Sequence, residues 1–320
     1  MELLVALGTV YEADRLIPVS SVHVSGASYA IVGNAGLGFL EDFSATARVR
    51  VRTTVNPLGM DTKAWKAMGV SAEFADRQGR IAAAYRRMGA EETWSCIPYQ
   101  IGNRPGRGEH VAWAESSAVV FANSLLGART NREGGPAALA SAVTGLTANY
   151  GLHLATHRET TVRVEVLPDI RGYEYSLLGH HLGRELGSGV PFLEGIEGSE
   201  DAWKAFGAAL ATSSDIDMFH VKGHTPEWES AKVEGRPPLQ VQKEDLIRAR
   251  EELLTTESYG VIAFGCPQLS RRELEEVAGL MEDHRPRVPV WVFTSRAVAS
   301  QAQEAVQRIE RHGGRVWADT

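Results

Sequence analysis

Two cysteines are the residues with the clearest chemical potential in this sequence of 320 residues. Cys96 stands in WSCIPYQ and Cys266 in FGCPQLS, and a proline follows each of them closely. Proline lacks a backbone N–H and fixes φ, so it favours a rigid turn that holds the thiol outward, as around iron–sulfur clusters. The alternative is that both thiols pack as small apolar side chains. Because two thiols cannot fill the usual ligand set of a cluster, a third ligand would have to come from elsewhere.

A dense group of hydrogen-bond donors follows an apolar stretch in the segment LLGARTNREGG, residues 125–135. Arg129, Asn131 and Arg132 fall within one turn of this segment. Two guanidinium groups could clamp an anionic substrate through paired hydrogen bonds. Alternatively, they could orient or neutralise a carboxylate elsewhere in the chain.

A candidate for that carboxylate is Glu115, which stands beside Ser116 in the otherwise apolar segment AWAESSAVVFANS. A buried carboxylate must be paired or protonated, and its pKa tends to rise, as a general acid or base requires. The structural alternative is an ion pair with Arg129 or Arg132. The sequence alone leaves both interpretations open.

Two segments could bind the oxygen atoms of a ligand. In SSVHVSGAS (20–28), serine hydroxyls and the N–H groups of a glycine turn suit a carboxylate or phosphate, although the segment could also be an exposed strand. In TTVNPLGMD (53–61), Asn56 and Pro57 could form a simple turn or present the asparagine amide to a ligand.

Alternating helices and strands must position these residues. The clearest pattern comes last, where YGVIAFG and VPVWVF are apolar along their length and alternate with amphipathic helices. This pattern predicts a parallel sheet covered on both faces, in which ligands gather beyond the carboxyl ends of the strands. Cys266 and Arg296 would lie at that edge. We also predict a long helix from Glu109 to Leu126 and an exposed connector at 225–240.

The composition excludes several classes of partner. The net charge of −7 and the pI near 5.8 leave no basic surface of the kind that nucleic acid or an anionic membrane requires. No apolar run reaches the roughly 20 residues of a spanning helix, and the amino terminus lacks the pattern of a signal peptide. We therefore predict a cytoplasmic protein. Two distant cysteines also argue against a secreted disulfide framework.

Six colinear segments resemble the large, catalytic component of the aconitase X family. They are SVHVSGASYAIVGNAGLGFLEDF, RTTVNPLGMD, CIPYQIGNRPGRGEHVAWAESSAVVFANSLLGARTNREGGPAALASAVTG, YGLHL, GCP and VPVWVFTSRA. The resemblance implies an α/β fold with aconitase-like, multi-lobed architecture and parallel-sheet lobes. We expect lobes at 1–155, at 156–240 with the linker, and at 241–320. It further implies an iron–sulfur cluster and a small swivelling domain, either fused or a separate subunit.

The resemblance also assigns roles to residues. Cys96 and Cys266 would be cluster ligands, and a third cysteine is expected beyond Thr320. Gln268 stands where many relatives have histidine. The substrate pocket would be lined by Gly26, Ala27, Ser28, Asn56, Pro57, Arg129, Asn131 and Arg132, with Glu115 and Ser116 in catalytic positions.

Two substrate classes are known in this family, mevalonate 5-phosphate and cis-3-hydroxy-L-proline. VSGASY, NPLGMD and RTNREGG look like the first branch. We therefore expect a hydro-lyase subunit that removes water from mevalonate 5-phosphate in isoprenoid biosynthesis, as a heterodimer with the swivelling-domain subunit. One alternative is dehydration of cis-3-hydroxy-L-proline. Another is a non-catalytic subunit that has lost its cluster.

Overall fold

The structure is a computed structural model that describes residues 1–231, 237–256, 258–284 and 286–320. The chain divides into two compact units, each assembled from three segments. Unit 1 comprises residues 1–20, 104–133 and 146–257, and unit 2 comprises 21–103, 134–145 and 258–320. The three-lobe boundaries expected from the sequence stay a prediction, and the expected connector lies partly outside the described residues.

Helices of the described residues belong to both units. They are α1 (Glu2–Val10), α2 (Tyr29–Thr46), α3 (Ala72–Met88), α4 (Ser116–Phe121), α5 (Gly135–Thr144), α6 (Glu174–Leu186), α7 (Glu200–Ser213), α8 (Lys243–Leu253), α9 (Arg271–Asp283), α10 (Arg296–Gln301) and α11 (Gln303–Arg311). Short 3-10 turns lie at Pro98–Gln100, Gly151–His153 and Ala155–Arg158, and a π-helical turn at Ala122–Leu126 continues α4.

Strands of the described residues are mostly short. They are β1 (Leu16–Pro18), β2 (Ser21–Val24), β3 (Arg52–Val55), β4 (Ala112–Trp113), β5 (Leu146–Ala148), β6 (Val162–Val166), β7 (Pro191–Glu194), β8 (His220–Val221), β9 (Leu239–Val241), β10 (Ile262–Leu269), β11 (Val290–Thr294) and β12 (Gly314–Ala318).

Unit 1 is built on a parallel sheet with the strand order β8-β7-β6-β9. Its core contains Trp203, Phe206 and Phe219, and the rings of the two phenylalanines meet edge to face at 4.8 Å. Helices α6 and α7 pack closely because α6 carries glycine at the contact. A Cβ atom on Gly179 would lie 2.3 Å from the carbonyl oxygen of Phe206.

Unit 2 contains the parallel sheet β10-β11-β12 and the parallel pair β2-β3. Val290 and Val292 point into a core formed with α9 and α11. In β10, Phe264 pairs with Val292, but the next pair is Leu269 with Thr294. Between these two pairs, β10 contains more residues than β11, so residues 265–268 of β10 protrude from the pairing. The several parallel sheets confirm the predicted α/β fold.

The predicted helix from Glu109 to Leu126 was wrong in its first part, since α4 begins only at Ser116. The preceding residues are extended because their backbone groups bond to a distant segment. The N–H of Val111 donates to the carbonyl of Arg129 at 3.0 Å, and the carbonyl of Trp113 accepts from Glu133 at 2.9 Å. Apolar periodicity alone does not show this competing partner.

No helix within the described ranges has both the length and the apolar character to cross a membrane.

Candidate functional site

The two cysteines lie in neighbouring loops of unit 2. Cys266 is exposed in the protruding part of β10, and Cys96 is half-buried in the loop that precedes the Pro98–Gln100 turn. The backbone N–H of Gln268 donates to the sulfur atom of Cys96 at 3.1 Å. Since Gln268 follows Cys266 by two residues, the loop that carries one thiol contacts the other thiol directly. Both cysteines are in the reduced thiol form.

The side chain of Gln268 joins three parts of unit 2 and is buried, with 1% exposed. Its amide nitrogen donates to the carbonyl of Trp94 at 3.2 Å and to the carbonyl of Thr320 at 2.8 Å. One amide thereby connects the Cys96 loop, the Cys266 loop and the residues after β12. We call this convergence the Gln268 junction.

Backbone strain is concentrated beside this junction. Trp94 has φ 43° and Asp319 has φ 65°, in the left-handed region that residues other than glycine rarely adopt. Such residues cost roughly 1–3 kcal/mol each and tend to cluster at functional sites, where surrounding contacts hold them. Here they directly flank the loop of Cys96 and the position of Thr320.

A charged cluster lies at the carboxyl ends of β11 and β12, formed by Arg296, Asp61, Asp319 and Thr62. Arg296 donates to Asp61 Oδ1 at 2.9 Å and also to Asp319 and Thr62. The hydroxyl of Thr62 donates to Asp319 Oδ2 at 2.6 Å. The N–H of Ala318 donates to Asp61 Oδ2 at 2.9 Å. This Arg296 cluster attaches the turn after β3 to the end of the β10–β12 sheet.

Neighbouring donors decide the charge state of Asp61. Burial alone would raise the pKa of this carboxyl. The backbone N–H groups of Ala318 and Lys63 and the guanidinium of Arg296 outweigh burial, so the pKa of Asp61 is lowered from 3.8. Asp61 is therefore a fixed negative charge across the physiological range.

The segments Gly26–Ser28 and Asn56–Pro57 lie side by side at the carboxyl ends of β2 and β3. The carbonyl of Asn56 accepts from the N–H of Ala27 at 3.3 Å, and the N–H of Asn56 donates to Val24 at 2.9 Å. Gly26 has φ 85°, which a glycine adopts without strain. The two segments that the sequence picked out separately therefore form one surface of unit 2.

Ser28 is the N-cap residue of α2, since its hydroxyl oxygen accepts from the N–H of Ala30 at 3.3 Å. Gly59 allows the next turn to approach closely, because a Cβ atom there would lie 2.7 Å from the Ser28 hydroxyl. The buried amide of Gln78 accepts from the N–H of Tyr29 at 2.6 Å and donates to the carbonyl of Ala27 at 3.1 Å. These contacts fix the turn in place.

One further contact connects this surface to the Gln268 junction. The N–H of Leu58 donates to the carbonyl of Asp319 at 3.1 Å, and Thr320 is the next residue. Unit 2 thus collects seven of the residues singled out from the sequence in one contiguous network. They are Gly26, Ala27, Ser28, Asn56, Pro57, Cys96 and Cys266.

The remaining predicted residues belong to unit 1. Glu115 is half-buried at the N-cap position of α4, with extended backbone angles, and Ser116 is the first residue of that helix. Both follow β4 within three residues. This is the strand-end position that the α/β pattern favours for functional side chains.

Arg129 and Asn131 hold the turn around residues 150–153. Arg129 donates to the carbonyl of His153 at 2.9 Å. Asn131 donates to the carbonyl of Tyr150 at 3.1 Å, and its side-chain oxygen accepts from the N–H of Leu152 at 2.9 Å. These donors satisfy backbone groups of an irregular segment.

Arg132 acts on a different part of unit 1. It pairs with Asp217 at 2.7 Å and donates to the carbonyls of Ala211 and Ile216 at 3.4 and 3.5 Å. A guanidinium next to the final carbonyls of α7 stabilises the end of that helix. The dense donors of LLGARTNREGG therefore have intramolecular partners. Their role in substrate binding stays a prediction.

Three family models match consecutive parts of the chain. The model described as the aconitase X first domain matches residues 1–156, the second-domain model matches 159–251, and the third-domain model matches 259–320. The chain belongs to the aconitase X family.

Full-length relatives and a solved structure agree with this membership. The phosphomevalonate dehydratase large subunit of Methanothermobacter thermautotrophicus is 47% identical over 100% of this chain and 82% of its own length. The crystal structure of Thermococcus kodakaraensis aconitase X in its holo-form has a TM-score of 0.92 and 41% identity, covering 100% of this chain and 82% of that chain. The cis-3-hydroxy-L-proline dehydratase of Pseudomonas aeruginosa is 35% identical over 100% of this chain and 58% of its own length.

The aconitase-like architecture of this family raises the question of whether the chain can hold an iron–sulfur cluster. The Cys96 thiol contacts the loop that carries Cys266, and thiolates are the usual ligands of such clusters. Within the described ranges, no three His, Cys, Asp or Glu side chains are grouped to hold a metal ion. The two thiols do not form a complete ligand set among the described residues, and their role as cluster ligands stays a prediction.

Several residues in these networks have no role that the sequence alone predicts. They are Asp61, Gln268, Asp319 and Glu133. Asp61 ends the quoted segment TTVNPLGMD, and Gln268 follows the GCP motif, so both stand beside motifs that were recognised. Residues that contact Asp61 and Gln268 are far away in the sequence, so the motifs do not reveal these contacts.

Glu133 is the buried carboxyl of unit 1, with 6% exposed. Burial raises its pKa to about 7, and the hydroxyl of Thr147, which donates to Glu133 Oε1 at 3.0 Å, opposes this shift. In the described part of the chain, no basic side chain pairs with Glu133. Its charge consequently changes near neutral pH.

Proposed function

We propose that this chain is the large subunit of an iron–sulfur-dependent dehydratase that converts mevalonate 5-phosphate into anhydromevalonate phosphate and water. The observation that carries the proposal is the similarity to a phosphomevalonate dehydratase large subunit, at 47% identity over 100% of this chain and 82% of that protein. Relatives that act on cis-3-hydroxy-L-proline are more distant, at 35%. The expected place of the reaction is isoprenoid biosynthesis in the cytoplasm.

The reaction removes a proton from the carbon next to the carboxylate and a hydroxyl group from the adjacent tertiary carbon. A double bond forms between the two carbons, and the proton and hydroxyl leave as water. Both steps are slow without catalysis, because the proton is weakly acidic and hydroxide is a poor leaving group. The site must therefore stabilise negative charge on the carboxylate and assist the departing oxygen.

Cys96 and Cys266 would hold the cluster, together with a third cysteine expected after Thr320. When bound, the cluster supplies a Lewis acid for the leaving hydroxyl group. The contact between Cys96 and the Cys266 loop supports this assignment. So does Gln268, which holds both loops and Thr320 together.

We assign the binding of the substrate to the surface formed by Gly26, Ala27, Ser28, Asn56 and Pro57. Its position at the carboxyl ends of β2 and β3 supports the assignment. The hydroxyl of Ser28 and the amide of Asn56 are suitable donors to a carboxylate or phosphate oxygen.

We assign Glu115 and Ser116 to catalytic positions beside the reacting carbon atoms, with Glu115 as the group that transfers the proton. Arg129, Asn131 and Arg132 would complete the binding of the anionic groups. Their contacts with carbonyls and with Asp217 indicate that they also set the shape of unit 1. The name of the relative as a large subunit supports a small swivelling-domain subunit as the partner.

The test is the reaction of the full-length chain, purified without oxygen together with its small subunit. We expect turnover of mevalonate 5-phosphate at a kcat/KM at least 100-fold above that of cis-3-hydroxy-L-proline. The reverse preference would assign the chain to the other branch. Activity on neither substrate, with no iron bound, would favour a non-catalytic subunit.

The ligand assignment has its own readout. Cys96→Ser and Cys266→Ser should each lower the bound iron and the visible-region absorbance, whereas the control Ser95→Ala should keep both. Loss of activity with full iron content in the cysteine variants would contradict the assignment.

A further inference from the structure

A cavity of about 900 Å³ lies at the amino-terminal ends of β11 and β12 in unit 2. The ends of α9 and α11 form its walls with the first residues of the two strands. The Arg296 cluster lies at the carboxyl ends of the same strands. Since a strand rises about 3.3 Å per residue, a five-residue strand separates the two places by roughly 16 Å. None of the residues assigned to dehydration lines this cavity.

The cavity is rich in positive charge. Arg287, Arg311 and Arg315 line it, and all three are exposed. Among the residues that the structure describes, no carboxylate pairs with any of these three guanidinium groups. The acidic residue of the lining, Glu282, pairs with Arg308 at 2.6 Å, and Arg311 also stabilises its negative charge. Three arginines and one carboxylate in the lining leave an excess of positive charge, in a chain of net charge −7, and this favours an anionic occupant.

One wall of the cavity is aromatic. Trp291 pairs with Arg315 and Phe293 pairs with Trp317 in the β11–β12 register, so these side chains share one face of the sheet. The rings of Trp291 and Trp317 meet edge to face at 6.3 Å, and both line the cavity. The aromatic wall therefore lies directly beside the arginines, which suits a ligand with an apolar part.

The indole N–H of Trp317 strengthens this conclusion. Trp317 is buried, with 5% exposed, and its Nε1 atom has no hydrogen-bond partner among the described residues. A buried donor without an acceptor costs about 1–3 kcal/mol, so such groups call for an explanation. An oxygen atom of a ligand bound in the cavity would supply the acceptor.

We propose that this cavity binds a small organic phosphate whose anionic group contacts Arg311 and Arg315 and whose apolar body packs against Trp291 and Trp317. Two sources share this chemistry. A nucleotide presents a flat base with its phosphate, and a prenyl diphosphate presents a branched hydrocarbon with its diphosphate. The arginines alone would bind inorganic phosphate. The tryptophans add affinity only for a phosphate that carries an apolar group.

Titration calorimetry on the full-length chain with its small subunit tests the proposal, using AMP, geranyl diphosphate and inorganic phosphate as probes. We expect one of the two organic phosphates to bind at least tenfold more tightly than inorganic phosphate. The tighter of the two ligands shows whether the cavity recognises a nucleotide or a prenyl diphosphate. Equal affinity for inorganic phosphate, or no binding of any probe at 1 mM, would overturn the proposal.

Two variants locate the binding. R311A/R315A should weaken the preferred probe at least tenfold, and R271A/R272A, which removes the same charge from the other end of α9, should leave it unchanged. Both variants should keep the basal dehydratase rate, because neither pair belongs to the assigned active site. Unchanged affinity in R311A/R315A would contradict the proposed location.

A third variant tests the indole N–H of Trp317. Trp317→Phe should weaken binding of the probe about fivefold, and unchanged affinity would show that this N–H does not donate to the ligand.

Discussion

Asp61 in unit 2 and Glu133 in unit 1 are both buried carboxyls, with 5% and 6% exposed, yet their pKa values move in opposite directions. Burial raises the pKa of each. Around Asp61, two backbone N–H groups and Arg296 outweigh burial. Around Glu133, the hydroxyl of Thr147 only reduces the effect, and the pKa stays at about 7.

The hydrogen-bond donors around a buried carboxyl, and not its burial alone, decide whether it is a fixed charge or a titrating group. Asp61 is a permanent anion that attaches the turn after β3 to β12. Glu133 gains or loses a proton near neutral pH, a property that structural carboxylates seldom have and that proton-transfer groups require.

The largest effect is expected at Asp61, the carboxylate whose charge is balanced by a neighbouring cation. Arg296→Ala leaves the buried carboxylates of Asp61 and Asp319 without their cation, which should lower the free energy of unfolding by about 3 kcal/mol. Urea unfolding at pH 7 measures this loss. Arg271→Ala is the matched control, because its partner Glu275 is exposed and the pair contributes below about 0.5 kcal/mol. Similar small losses in both variants would mean that the Arg296 cluster does not stabilise the fold.

The next effect concerns the pH dependence of stability through Glu133. Since burial raises the pKa of Glu133 from 4.5 to about 7, its protonated form favours the folded state. This contribution is complete below pH 4.5 and is lost as the pH rises through about 7. Compared with Glu133→Gln, the wild-type chain should therefore lose about 2–3 kcal/mol of unfolding free energy between pH 5 and pH 8.

Urea unfolding of both chains at several pH values measures the difference between them, which removes the contribution of other titrating groups. Parallel pH curves would show that Glu133 is ionised across this range.

For Asp61, the pH dependence of the unfolding free energy has the opposite sign, which comparison with Asp61→Asn by the same urea series measures. The pKa of Asp61 is lowered, so its contribution is present above pH 3.8 and is lost as the pH falls below that value.

The sequence predicted the parts of this comparison that depend on local pattern. Apolar strands alternating with helices indicated parallel sheets, which the structure contains. The GCP motif was expected just after the end of its strand, whereas Cys266 lies within β10, in the segment that protrudes from the pairing with β11. Side chains that depend on distant partners were not predictable in this way. Asp61 and Arg296 are 235 residues apart, and no local pattern connects them.

The error at Glu109–Glu115 has the same physical origin. These residues are apolar enough for a helix, but their backbone groups pair with the segment that ends at Glu133. That pairing also sets the position of Glu133, whose N–H donates to Trp113. The environment that raises its pKa is therefore a consequence of strand pairing, which residue types and spacing in LLGARTNREGG do not encode.

A smaller effect tests why Glu133 lacks a cation although Arg132 is its neighbour in the sequence. Arg132 pairs with Asp217 instead, and the pKa of Asp217 is raised because burial exceeds the effect of Arg132. Arg132→Ala should lower the free energy of unfolding by about 1–2 kcal/mol and leave the titration of Glu133 unchanged. Urea unfolding with the same pH series measures both. A pKa change at Glu133 would mean that Arg132 acts on both carboxyls.

The smallest expected effect isolates the hydroxyl that opposes burial at Glu133. Thr147→Val keeps the shape of the side chain and removes the donor, so the pKa of Glu133 should rise further above about 7. The free energy of unfolding should fall by about 1 kcal/mol at pH 8, where the carboxylate loses its hydrogen bond, and by less at pH 5. Infrared titration of the protonated carboxyl band, with Thr144→Val as the control, measures the pKa directly. An unchanged band would show that the Thr147 hydroxyl does not influence the pKa of Glu133.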